Sequence, residues 1–192
     1  MINKPTIILE KDNNVLLQDP FSILYSKRII YLFGEINDDL MQNINAQLIY
    51  LDNLNNDEIN IYLCSPGGCV SSALAIYDTI RFLKSNVRII CIGLVASAAV
   101  IVLCAASKGN RYALANADIM IHEIYTNISG NASDISTHSK RVKKLYDRVN
   151  NILAISSGNE ISKIEEDCRY DFYLDAKEAI EYGFIDEIIN DK

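Results

Sequence analysis

The order of apolar and polar positions divides the chain into strand-like and helix-like packets. Residues 28–33 (RIIYLF) are β-branched and aromatic, which predicts a strand. Over 38–52 the apolar positions 40, 41, 44, 48 and 49 share one helical face, with Asn37 or Asp38 placed as the cap. Residues 58–64 read as a second strand and run into the turn Ser65-Pro66-Gly67-Gly68. Residues 69–84 then repeat the helical face at Val70, Ala73, Leu74, Tyr77 and Ile80. A third strand is expected over 87–92, two short ones over 110–114 and 118–122, and the longest helix over 134–157. The apolar positions of that helix (135, 142, 145, 149, 152 and 153) fall near a 3.5 spacing. Packing on the body of the fold and a seam against another subunit explain that spacing equally well. A shorter helix over 161–169, a strand over 172–174, a helix over 175–182 ended by Gly183 and a last strand over 185–189 complete the order. Residues 1–26 carry little pattern and read as an arm or loop. Strands alternating with helices of this length predict an α/β fold of repeated βαβ units around a mostly parallel sheet.

The run 89–106 contains no charged residue and approaches the length of a membrane span. Its first half is β-branched, Gly93 interrupts it, and its second half is rich in alanine. Strand, turn and buried helix fit that order better than a span.

Composition narrows the function. With 49% hydrophobic and 22% charged residues the chain can bury a real core. A net charge of -7 argues against nucleic acid or an anionic membrane as the main partner, because both require a positive surface. The five cysteines (Cys64, Cys69, Cys91, Cys104 and Cys168) form no CxxC pair and sit mostly among apolar residues, as free thiols of a reducing compartment do. With His122 and His138 the only histidines, no metal site is expected, and no cofactor either. Glu10, Lys11 and Asp12 interrupt the only apolar stretch near the start, which does not fit a signal peptide.

Three places carry candidate chemistry. His122 ends an apolar strand, where open sheets present reactive side chains, although a lone histidine is commonly structural. Ser97 follows a strand at the start of an expected helix, where backbone N–H groups and the positive helix end favour an oxyanion. It is either a capping hydroxyl or a nucleophile, and its surroundings (Leu94-Val-Ala-Ser97-Ala) are not the G-x-S-x-G elbow. The Ser65-Pro66-Gly67-Gly68 turn lets backbone approach a ligand closely, and it lacks the spacing of a phosphate-binding loop.

The stretch YLCSPGGCVSSALAIYDTIRFLKSNVRIICIGLVASAAVIVLCAASKGNRYALANADIMIHE, with GNEISKIEEDCRYDFYLDAKEAIEYGFIDEII further on, resembles the ClpP family, the serine-peptidase subunits of ATP-dependent Clp proteases. The likeness runs over about 28–189. It implies the ClpP/crotonase-like α/β fold, with an N-terminal arm over 1–27, the peptidase domain over 28–192 and a long handle helix within about 123–157. The family's serine, histidine and aspartate fall on Ser97, His122 and Asp171, and its oxyanion donors on the N–H groups of Gly68 and Ala98. Tyr62, Phe82 and Tyr112 fall in its unfoldase dock. The resemblance further implies heptameric rings stacked in pairs, a AAA+ unfoldase that uses the ATP, and unfolded proteins as substrates. Cytoplasm is the expected compartment, with a plastid-type organelle after leader removal as the alternative.

Some positions depart from the family. Ala98-Ala99 follows the serine where Met-Gly is common. Glu123-Ile-Tyr-Thr126 replaces the usual Gln-Pro-Leu-Gly. Tyr170 stands where an arginine of the ring–ring contact is frequent, and Asn60 where the dock often has an aromatic. These changes leave open a second reading, a ClpP-like structural subunit of a mixed ring that cuts slowly or not at all.

Overall fold

The computed structural model describes residues 6–11 and 14–189. The core is a seven-stranded sheet of β3 (Ile29–Phe33), β4 (Ile59–Ser65), β5 (Val87–Ala96), β6 (Arg111–Leu114), β7 (Asp118–Ile121), β8 (Phe172–Leu174) and β9 (Glu187–Ile189). Helices α2 (Asp38–Leu54) and α3 (Val70–Phe82) form the crossovers between β3, β4 and β5, all three parallel. Asn37 caps α2, its side chain accepting from the Leu40 N–H at 2.9 Å. Ile44 and Leu48 of α2 and Ala73, Leu74 and Ile80 of α3 are buried as the helical period marks, with Leu51 and Ile76 beside them, whereas Ile49, expected on the same face, is exposed.

The uncharged run becomes the centre of the molecule. Its second half is α4 (Ala98–Leu103), a short helix buried on every side against β4, β5, β7, α3 and α5 (Ala132–Ser157). A helix that is apolar all round belongs in a core. Among the described residues no helix is long and apolar enough to cross a membrane.

β5 differs from expectation. Gly93 bends the strand instead of ending it. With φ at 59° it allows a bulge, and the register against β4 jumps from Leu63–Cys91 to Ser65–Val95. Ile89 to Cys91 pair with β6, whereas Leu94 to Ala96 pair with β7. The sheet therefore forks along one strand. One branch continues to β9, and the other ends in the antiparallel pair β7–β8.

Residues before β3 also differ from a loop. β1 (Ile7–Lys11) and β2 (Asn14–Gln18) pair as an antiparallel sheet, and α1 (Pro20–Ser26), capped by Asp19, packs against β3. Two arginines tie elements together. Arg28 donates to the carbonyls of Leu51, Asn55, Asp57 and Glu58, closing the end of α2. Arg111, almost wholly buried, pairs with Asp186 and donates to the carbonyls of Ser156 and Gly183, joining β6 to the ends of α5 and α7 (Ala176–Tyr182). α6 (Ile161–Asp167) links α5 to β8.

Candidate functional site

Ser97 sits between β5 and α4 with φ 56° and ψ −123°, a left-handed conformation that a residue with a Cβ rarely adopts. Such a backbone costs on the order of 1–3 kcal/mol and persists only where its surroundings enforce it. The Ser97 N–H donates to the Met120 carbonyl at 2.8 Å, which continues the β5–β7 ladder by one rung. The Ser65–Gly68 turn packs on the other side. A Cβ on Gly67 would lie 2.7 Å from both the Ala96 carbonyl oxygen and the Ser97 Cβ, so only glycine fits there.

The Ser97 side chain occupies a cap position but makes no cap hydrogen bond. Its Oγ lies 2.7 Å from His122 Nε2 instead. The capping role left open by the sequence is thus not the one the hydroxyl takes.

β7 delivers the imidazole and β8 the carboxylate. Ile121 pairs with Phe172 across the antiparallel ladder. His122 follows Ile121 and Asp171 precedes Phe172, so both leave the same end of this antiparallel pair. His122 Nδ1 and Asp171 Oδ1 are 3.7 Å apart, a close charge contact longer than a hydrogen bond, and the Asp171 side chain is 61% exposed. The structure therefore brings together Ser97 and His122 within hydrogen-bonding distance and holds Asp171 slightly off.

Gly68 stands beside this pair. The Ile36 N–H donates to the Gly67 carbonyl and the Cys69 N–H to the Ile36 carbonyl, both at 2.7 Å, which anchors the turn on either side of Gly68. Among the described residues the N–H groups of Gly68 and Ala98 have no acceptor, and both residues line the same cleft as Ser97 and His122. The cleft holds about 320 Å³ and its walls are largely apolar, with Val70, Ile101, Ile124, Val149 and Leu153 contributing. The sequence marks the Ser65–Gly68 turn but not the packing of Gly67 against Ser97, nor these walls. The paired glycines carried the only signal for the first, and no local pattern marks the second.

Tyr62 and Tyr112 lie in one register row, Tyr31–Tyr62–Ile90–Tyr112, across β3 to β6. Tyr62 stacks on Tyr31 at 5.5 Å, and the Arg88 guanidinium covers Tyr112 at 4.3 Å. Phe82, at the end of α3, is 87% exposed. Tyr170, next to Asp171, is also exposed.

All five cysteines are free. Cys91, Cys104 and Cys168 are buried, and burial pushes their thiols up, to about 11 for Cys104 and about 12 for Cys168. Cys69 departs from the expected buried thiol. It is exposed beside Gly68, and hydrogen bonding with Ser72 lowers it from the usual thiol value. Among the described residues no cluster of histidine, cysteine or carboxylate groups is arranged to hold a metal ion.

A serine hydroxyl against an imidazole, with free amide donors alongside, is suited to nucleophilic acyl transfer, and here it stands at the fork of a parallel α/β sheet. That combination has the layout that serine hydrolases use. A model of the Clp protease family matches residues 11–192, and the chain belongs to that family as a ClpP-type protein.

Proposed function

We propose that the chain is a catalytically competent serine endopeptidase subunit that cuts unfolded polypeptides delivered by a AAA+ unfoldase, acting in heptameric rings stacked in pairs. The observation that carries this reading is the 2.7 Å contact between Ser97 Oγ and His122 Nε2. Ser97 attacks the scissile carbonyl while His122 accepts its proton and then delivers it to the leaving amine. Water, activated by the same imidazole, hydrolyses the acyl-enzyme. This requires the tautomer with Nε2 unprotonated and Nδ1–H toward Asp171, whose carboxylate orients the ring and stabilises the imidazolium. The N–H groups of Gly68 and Ala98 receive the developing oxyanion, a contribution of roughly 3 kcal/mol per donor in serine peptidases. Tyr62, Phe82 and Tyr112 are assigned to the unfoldase dock. ATP is consumed by the partner.

The second reading, a structural subunit of mixed rings, draws on the 3.7 Å separation of His122 and Asp171. Hydrolysis of a fluorogenic peptide, alone and with an unfoldase, separates the two. Cleavage that Ser97→Ala lowers by at least about 10³-fold while the oligomer persists supports the peptidase. A protein that is silent alone yet co-assembles with an active relative supports the scaffold.

A further inference from the structure

The cleft beside Ser97 contains a charge that the peptidase reaction does not use. Its walls are apolar for most of their extent, and among the described residues Glu123 is the one acidic residue that lines them. No lysine or arginine lines the cleft, and Glu123 forms no ion pair among the described residues. Asp171 adds a second negative charge nearby, on the far side of His122. The field of Glu123 also reaches inward, since after burial and Asp167 it is the third influence raising the Cys168 thiol.

We infer that Glu123 is a specificity-determining residue that selects a basic side chain in the cleft. This rests on reading the cleft as the peptidase site. A substrate lysine or arginine beside the scissile bond lays its alkyl stem along Val70, Ile101, Val149 and Leu153 and carries its charged end to Glu123. Leucine is accepted on the same walls. Glutamate and aspartate are rejected, because they bring a second uncompensated anion into the cleft. Glu123 is exposed in the free protein, so the effect has the size of a modest ion pair, about fivefold in rate.

The test uses peptides that differ only at the residue before the scissile bond (lysine, leucine or glutamate), on the wild-type protein, Glu123→Gln and Glu123→Lys. A fluorophosphonate reports in parallel whether Ser97 reacts. The lysine peptide is expected to exceed the glutamate peptide about fivefold in kcat/KM at low salt. That ratio approaches one in Glu123→Gln and at high salt, and inverts in Glu123→Lys. A ratio that ignores these substitutions, or a wild-type preference for glutamate, overturns the inference. The same peptides are titrated by fluorescence anisotropy onto Ser97→Ala, with and without Glu123→Gln. Tighter binding of the lysine peptide, abolished by Glu123→Gln, supports the inference even where Ser97 fails to label, a failure that counts against the peptidase reading alone. Equal binding of the two charged peptides overturns the inference whatever the labelling.

Discussion

Ser97 occupies a backbone conformation that side-chain-bearing residues avoid, and the turn around it makes that conformation tolerable. The Met120 carbonyl holds its N–H, and Gly67 leaves the space that its Cβ and the Ala96 carbonyl fill. Gly67→Ala forces a methyl into that contact and strains a residue already at φ 95°. The substitution is expected to cost about 2 kcal/mol or more in denaturant unfolding and to lower peptide cleavage by a larger factor than the stability loss explains. Unchanged cleavage would mean that the Ser65–Gly68 turn does not position the nucleophile. The partnership of His122 with Asp171 was not legible in spacing. It arises from the antiparallel pairing of β7 with β8, segments far apart in the chain, and only the resemblance to a family pointed to it.

At the scale of elements, α7 shows what local sequence encodes well. Asp175 accepts from the N–H groups of Lys177 and Glu178, Glu178 returns the bond to the Asp175 N–H, and Gly183 closes the helix in the left-handed region. Asp175→Ala should destabilise the protein by about 1 kcal/mol, read as a lower denaturant midpoint. Because α7 contacts both β7 and β8, a loss of cleavage beyond that expected from stability would show that the cap also keeps Asp171 in register. The helical stripes of α2 and α3, Ile49 excepted, and the strands between them are equally legible, since periods of 3.6 and 2 follow from which face is buried. β5 was misjudged because a glycine reads as a strand end until a second partner strand is known. The β1–β2 pair was missed for a related reason. Ile8 and Leu17, which face each other across it, are both exposed, so this cross-strand pair gives no buried position to read.

At the scale of the whole molecule, the Arg111–Asp186 pair fastens the β6–β9 branch of the sheet to the ends of α5 and α7. Burial pushes the Asp186 carboxyl up. The hydrogen bonds and charge of Arg111, with the N–H groups of Arg111 and Gly109, outweigh that and hold it below the usual carboxylate value. A lowered folded value adds stability that is complete above the unfolded value of about 4 and is lost as pH falls through the folded one. Asp186→Asn should remove about 3 kcal/mol at neutral pH and flatten the acid limb of the stability curve. An unchanged acid limb would assign that sensitivity elsewhere. Assembly gives a further test, since Tyr170 is exposed where the family often has an arginine. Tyr170→Arg is expected to shift sedimentation toward double rings, and an unchanged profile would discount that position. The most direct measurement of the central claim is fluorophosphonate labelling followed by peptide mapping. The account predicts one adduct per chain, on Ser97, lost in His122→Ala as well as in Ser97→Ala. An intact, folded protein that takes up no adduct, alone or with an unfoldase, would contradict it.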